Sequence, residues 1–185
     1  SGHGVQSALL SVSVHNLLRS GSFPTHVLKQ PDQVLTELNE MFAMDKHADN
    51  YFTMWFGVYQ ASARTLRYAS GGHPPALLLG ASRNSPAVTP LTAQGVPVGM
   101  FPDTEFACAT APIAPGDTLL IYSDGAYEFP VPAGQSWSLE AFTAECKRLA
   151  GTPDWTLDTL VDSLRARIAA EVFDDDLSLV RLHFG

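Results

Sequence analysis

Two apolar segments of β type each meet acidic residues at one end, and this arrangement constrains the fold of the 185-residue chain most strongly. The first, Thr118–Ser123, runs directly into Asp124 and Gly125. The second, Leu177–Phe184, follows three consecutive aspartates at positions 174 to 176. Carboxylates at strand ends can converge on a hard cation such as Mg²⁺ or Mn²⁺, which prefers oxygen ligands. The pattern therefore predicts strands that carry acidic groups to one metal site.

Each acidic motif also has an interpretation that needs no metal. Asp-Gly at positions 124 and 125 is a common turn of a β-hairpin. The run of aspartates at 174–176 is also compatible with an exposed acidic turn, although the mutual repulsion of three carboxylates is unfavourable unless water or a cation relieves it. Local sequence leaves both interpretations open.

Composition restricts the class of protein. A chain of this length with 45% hydrophobic residues is expected to form one domain with a sizeable core. The net charge of −8 argues against binding to nucleic acid or to anionic membranes. There is no apolar run of about 18 residues and no signal peptide, so we expect a cytoplasmic protein without a membrane span. The two cysteines form no CxxC motif, which excludes a zinc finger.

The hydrophobic period switches between helix and strand types along the chain. The predicted helices are Val5–Arg19, Pro31–Met44, a helix capped by Ser138 that runs to Ala150, and Thr156–Phe173. The predicted strands are Tyr51–Tyr59, Thr65–Ser70, Ala76–Gly80, Glu105–Ala109, Thr118–Ser123 and Leu177–Phe184, with loops at Ala81–Pro90 and Phe129–Trp137. Because strands are grouped between helices, the fold class is predicted to be α+β.

Seven short motifs follow one another in a specific order. They are Ser1-Gly-His-Gly4, Phe52-Thr53, Leu66–Pro75, Gly95–Gly99, Pro115–Leu119, Ser123-Asp124-Gly125 and Asp175–Ser178. Each motif is weak alone, but their joint order resembles the SpoIIE/RsbU-type branch of the metal-dependent serine/threonine phosphatases (PPM, protein phosphatase 2C-like). The resemblance covers almost the whole chain.

This resemblance implies a β-sandwich flanked by α-helices and a centre that holds two Mn²⁺ or Mg²⁺ ions. It makes Asp124 and Asp175 the catalytic metal ligands, with the carbonyl of Gly2 as a further ligand. The implied reaction is hydrolysis of phosphoserine or phosphothreonine without a covalent enzyme intermediate. It also favours metal ligands over a simple turn as the interpretation of Asp124 and Asp175.

The family motif that ends in Ser-Gly-His-Gly begins with an aspartate, and the family has a further acidic strand upstream of it. The sequence begins inside this motif, at Ser1. We therefore expect residues 1–185 to represent a single phosphatase domain that is incomplete at its N-terminal side and lacks its first strands.

Three functions remain open at this stage. The resemblance favours the phosphatase output domain of a larger bacterial signalling protein, which follows a receiver or sensor domain. Such a domain would act on a phosphorylated regulator such as an anti-sigma-factor antagonist, and a homodimer is compatible with it. The first alternative is a pseudophosphatase adaptor, as in an RssB-like response regulator, which binds a sigma factor or another partner without catalysis. The second is a structural domain that binds no metal.

Overall fold

Two hydrophobic cores organise the chain, and each belongs to its own unit. A computed structural model describes residues 5–43, 51–82, 86–131, 135–152, 155–168 and 176–185. One unit consists of Ser1–His73 with Thr92–Pro112, and the other of Pro74–Leu91 with Ile113–Gly185. The helices are α1 (Val5–Arg19), α2 (Thr25–Leu28), α3 (Pro31–Met41), α4 (Leu139–Ala150) and α5 (Leu157–Arg165). The strands are β1 (Met54–Gln60), β2 (Thr65–Gly71), β3 (Ala76–Leu79), β4 (Val88–Leu91), β5 (Ala109–Pro112), β6 (Thr118–Tyr122), β7 (Pro130–Val131), β8 (Gln135–Ser136) and β9 (Leu179–His183).

The first unit contains an antiparallel sheet of order β1-β2-β5 and helices α1 to α3. Pro31 is the first residue of α3. N–H groups of the first helical turn have no acceptor within the helix, so the lack of an N–H in proline costs no hydrogen bond there. Val34, Leu35 and Leu38 lie at helical spacing on one face of α3 and are completely buried. They pack in the same core as Ala69 of β2. The apolar stripe of α3 thus supplies much of the core of this unit.

The second unit contains an antiparallel sheet of order β4-β3-β6-β9. Strand β6 lies inside this sheet, which explains its continuous apolar sequence. Its register with β9 pairs Tyr122 with Leu179 at one end and Thr118 with His183 at the other. Side chains of β3 and β6 form one core with those of α4 and α5. The fold class is therefore α+β, as predicted, and the described residues form antiparallel sheets of three and four strands and a two-stranded hairpin, β7–β8.

Several predicted boundaries are wrong, and each error has a local cause. The predicted loop Ala81–Pro90 contains most of β4, which tolerates Pro90 because it is an edge strand. The predicted strand Glu105–Ala109 lies too early, since β5 spans Ala109–Pro112. The predicted loop Phe129–Trp137 contains the short β7–β8 hairpin.

The helices differ from the sequence prediction mainly at their C-terminal ends. Helix α3 ends at Met41 and α5 ends at Arg165, both earlier than their apolar periods suggest. The N-terminal end of α4 is as predicted, because the Ser138 side chain accepts the Ala141 N–H at 3.2 Å. In the described segments, no helix is both long and apolar enough to cross a lipid bilayer.

A buried carboxylate joins α4 to the end of α5. Glu145 is only 5% exposed. It accepts two hydrogen bonds from the Arg148 guanidinium, at 2.9 and 2.6 Å, and one from the Ser163 hydroxyl. Arg167 Nη2 lies 3.1 Å from the same carboxylate. The hydrogen bonds from Arg148 are the main cause that lowers the pKa of Glu145 to about 2, against the opposing effect of burial.

Replacing this carboxylate should destabilise the second unit. We expect Glu145→Gln to lower the free energy of unfolding at neutral pH by about 1–3 kcal/mol, because it leaves buried donors poorly paired. The pKa of Glu145 is lowered on folding, so its contribution is present above the unfolded pKa near 4.5 and is lost as the pH falls towards about 2. Denaturant unfolding at several pH values would measure both effects.

The matched control is Asp162→Asn, which removes an exposed ion pair at 3.9 Å between Asp162 and Arg165 of α5. That change should alter stability by less than about 0.5 kcal/mol. Equal effects of the two substitutions, or a Glu145→Gln effect that persists at pH 2, would contradict the role assigned to Glu145.

Candidate metal centre

Asp124 lies where the chain leaves the buried strand β6. Ser123 is extended, with φ −80° and ψ 166°, and the chain then forms a single 3-10 turn, Asp124–Ala126. The carbonyl of Asp124 accepts the N–H groups of Tyr127 and Glu128 at 2.9 and 2.8 Å. The backbone of Asp124 is therefore fixed at the end of a rigid strand, while its side chain is exposed.

This geometry decides against the simple hairpin interpretation of Asp124-Gly125. The neighbours of β6 in the sheet are β3 and β9, so the chain does not reverse at Gly125 into a paired strand. One carboxylate oxygen of Asp124 accepts the Gly125 N–H at 3.1 Å. The side chain is thus oriented locally and keeps oxygen lone pairs available to a ligand.

The hydroxyl of Ser123 connects the end of β6 to the segment that precedes β9. Ser123 Oγ donates to the carbonyl of Asp176 at 2.9 Å and accepts the Ser178 N–H at 2.9 Å. The Ser123 N–H donates to the Ser178 carbonyl at 3.0 Å. Three hydrogen bonds of Ser123, the residue before Asp124, therefore hold the backbone of 176–178 close to the end of β6.

The surroundings of Asp124 are negative. Burial and, to a smaller extent, the negative charges of Glu128 and Asp124 together raise the pKa of Tyr127 to about 12. In the part of the chain that the structure describes, no Lys or Arg side chain forms an ion pair with Asp124. An exposed carboxylate in a negative environment, without a protein counter-ion among these residues, fits a ligand of Mg²⁺ or Mn²⁺.

Two of the three predicted ligands, Gly2 and Asp175, lie outside the described residues. Within the described ranges, no group of three acidic, His or Cys side chains is close enough to hold a metal ion. The structure therefore describes Asp124 and the backbone that follows Asp175, and the complete ligand set remains a prediction.

Sequence reasoning missed the structural part played by Ser123. It appeared in the sequence only as the first residue of the Ser-Asp-Gly motif. Its position directly before the predicted ligand Asp124 is a signal, since a hydroxyl there can accept a backbone N–H as well as donate. The sequence does not identify its partners, which are more than fifty positions away.

Some motif residues shape loops rather than a site. The N–H of Gly72, which has φ +68°, donates to the carbonyl of Gly95 at 3.1 Å. A side chain at Gly95 would overlap the Ser70 carbonyl oxygen, so only glycine fits there. The hydroxyl of buried Ser70 donates to the His73 carbonyl at 2.9 Å. These contacts explain why glycines recur in the two motifs.

Asp117 is a second aspartate with a structural part. It is 7% exposed, and its two carboxylate oxygens accept the N–H groups of Ala81 and Ala114 at 3.2 and 2.7 Å. The carboxylate thus holds the loop after β3 against the turn before β6. Both oxygens are engaged by backbone donors, which distinguishes Asp117 from Asp124.

The fold is that of the PP2C-type phosphatases. The structure superimposes on the SiaA-PP2C domain of Pseudomonas aeruginosa with a TM-score of 0.78 at 18% identity, over 100% of this chain and 72% of that one. It superimposes on the PP2C domain of SpoIIE from Bacillus subtilis with a TM-score of 0.75 at 16% identity, over 98% and 51%. At these identities the likeness defines the fold alone.

Sequence comparison defines the family. The family model described as Stage II sporulation protein E (SpoIIE) matches residues 1–185, so the chain belongs to the SpoIIE family. This confirms the resemblance that the ordered motifs predicted. The phosphoserine phosphatase RsbP of Bacillus subtilis is 33% identical over 128 residues, which are 67% of this chain and 30% of RsbP. The chain spans less than a third of each of the curated relatives it matches first.

The Ser123 contacts generate a direct prediction. In Ser123→Ala the Ser178 N–H loses its acceptor, so its hydrogen exchange should accelerate about tenfold or more. Exchange measured by NMR at single residues would detect this. Ser123→Thr keeps the hydroxyl in an extended conformation that suits threonine, and should preserve the protection. Unchanged protection of Ser178 in the alanine variant would contradict the described contacts.

Proposed function

We propose that this chain is the metal-dependent phosphatase domain of a bacterial signalling protein and hydrolyses phosphoserine or phosphothreonine on a regulatory protein. The observation that carries the proposal is the pair of hydrogen bonds of the Ser123 hydroxyl. They hold the residue before exposed Asp124 against the backbone that follows Asp175. Membership of the SpoIIE family and the likeness to RsbP, a phosphoserine phosphatase, support the same reaction. The family model spans both units, which supports a single functional domain.

In this proposal Asp124, Asp175 and the Gly2 carbonyl are ligands of a centre for two Mn²⁺ or Mg²⁺ ions. When bound, these cations would activate a water molecule and offset negative charge on the phosphoryl oxygens. Asp124 is exposed at the end of β6, so a phosphorylated side chain on the surface of another protein can approach it. The rigid strand behind Asp124 keeps the carboxylate in place while substrate binds.

Water is the better nucleophile in this proposal than the buried cysteine. Cys146 is 1% exposed inside the core of the second unit, and burial raises the pKa of its thiol to about 12. A buried thiol that stays protonated at neutral pH neither reaches a phosphoprotein nor attacks it. This supports direct hydrolysis without a covalent intermediate on Cys146.

The expected substrate is a phosphorylated regulator such as an anti-sigma-factor antagonist. We further propose that a receiver or sensor domain of the same polypeptide controls the phosphatase in the cytoplasm, in a monomer or a homodimer. RsbP supports this organisation only in part, since the matched segment is 30% of its length.

The central test is Mn²⁺-dependent hydrolysis of a phosphoserine peptide by the complete polypeptide that contains residues 1–185 and by its Asp124→Asn variant. The amide removes a charged ligand and keeps the shape, so activity should fall about a hundredfold or more. The control is Asp162→Asn, the same chemical change at an exposed carboxylate on α5, which should keep activity within about threefold of wild type.

Calorimetric titration with Mn²⁺ separates the phosphatase from its alternatives. The proposal expects Mn²⁺ to bind wild type and to bind Asp124→Asn more weakly. Unaltered activity in Asp124→Asn would reject the assigned ligand. A complete wild-type polypeptide that neither binds Mn²⁺ nor hydrolyses the peptide would instead favour the adaptor or the structural domain.

A further inference from the structure

A pocket lies at the end of the β6–β9 pair that is remote from Asp124. It has a volume of about 390 Å³, and its wall includes Thr118, Thr152, Trp155, Arg181 and His183. Thr118 begins β6, whereas Asp124 follows the last residue of that strand. At about 3.3 Å per residue, the two ends are separated by about 15 Å or more. The pocket is therefore distinct from the candidate metal centre.

Arg181 provides the positive charge of this pocket and is held in a fixed orientation. Its guanidinium lies over the Trp155 ring, with the central carbon 4.3 Å from the ring centroid. Its Nη1 donates to the Trp155 carbonyl at 2.8 Å. Stacking and the hydrogen bond together reduce the freedom of a side chain that would otherwise be mobile.

One donor of Arg181 is left without a partner. Its Nε is buried and forms no hydrogen bond with the described residues. Across the segments that the structure describes, no carboxylate forms an ion pair with Arg181. Asp117, which directly precedes Thr118, forms no ion pair with Arg181, because backbone N–H groups engage both of its carboxylate oxygens. The positive charge of the guanidinium is therefore not offset by a described carboxylate, and an anion held in the pocket by the terminal nitrogens of Arg181 would offset it.

The other polar groups of the pocket are compatible with an anion. The Thr118 hydroxyl and Nδ1 of His183 are 3.3 Å apart and share a hydrogen bond. The Thr152 hydroxyl donates to the Leu149 carbonyl at 2.7 Å. The lining residues that the structure describes thus include hydroxyl and imidazole groups around one guanidinium, and none of these described residues is acidic.

We propose that this pocket binds a small molecule through an oxyanionic group, either a phosphate or a carboxylate, which the Arg181 guanidinium holds. The planar guanidinium matches two oxygens of such a group. The volume lies in the range of small-molecule sites and exceeds what a single inorganic ion needs. The site lies in the same unit as Asp124 but apart from the candidate metal centre.

The test uses inorganic phosphate and succinate as separate probes, at constant ionic strength. The solutions are freed of metal over a chelating resin and the titrations are repeated in Asp124→Asn, so that no metal-held phosphate contributes. In ¹⁵N-resolved NMR spectra, the indole signal of Trp155 should shift and saturate with one probe or both, whereas those of Trp55 and Trp137 should not. A response to phosphate, to succinate or to both identifies the kind of oxyanion, and no saturable shift with either overturns the proposal.

Variants connect the response to Arg181. Arg181→Met removes the charge at similar length and should weaken binding about tenfold or more. The matched control is Arg165→Met, which removes an exposed cation from α5 in the same unit and should leave binding unchanged. If Arg181→Met does not fold, Arg181→Lys provides the test, because it keeps the charge without the planar group and should still bind several-fold more weakly. Wild-type affinity in the Arg181 variants would overturn the proposal.

Discussion

The candidate site depends on the hydroxyl of Ser123. A hydroxyl can donate one hydrogen bond and accept others, and here it uses both capacities on one short stretch of backbone at 176–178. The adjoining strand β6 is buried within the sheet and cannot shift without disrupting its pairing on both sides. A carboxylate that follows Ser123 is therefore presented from a fixed base, next to the segment that carries the second acidic motif.

The family motifs divide into two physical classes. One class includes Asp124, whose carboxylate accepts, among the described residues, the N–H of Gly125 alone and can bind a cation. The other class closes loops, as Asp117 and Gly95 do, and a substitution there would act on the path of the chain. Tyr122, the last residue of β6, belongs to neither class. Its hydroxyl donates to the Pro75 carbonyl at 2.7 Å and so connects the end of β6 to the end of the motif Leu66–Pro75. Motif membership alone does not distinguish a ligand from a loop residue.

The sequence predicted those elements whose hydrophobic period lies within the element itself. The stripe of α3 and the apolar run of β6 are examples, and the order of the motifs identified the family. Strand β4 was missed because Pro90 and its polar neighbours resemble a loop, whereas an edge strand accepts them. Three sets of contacts could not be predicted, since each is set by packing between distant segments. They are those of Ser123 with 176–178, of Glu145 with Ser163 and Arg167, and of Arg181 with Trp155.

The most direct test of the account locates a paramagnetic ion on the folded chain. Substoichiometric Mn²⁺ broadens the NMR signals of nuclei close to its binding site. The account predicts selective broadening of the amides of Asp124, Gly125 and Asp176, with Thr118 and His183 at the far end of the sheet much less affected. Broadening centred elsewhere, or none that is selective, would contradict the claim that Ser123 joins two acidic segments into one metal site.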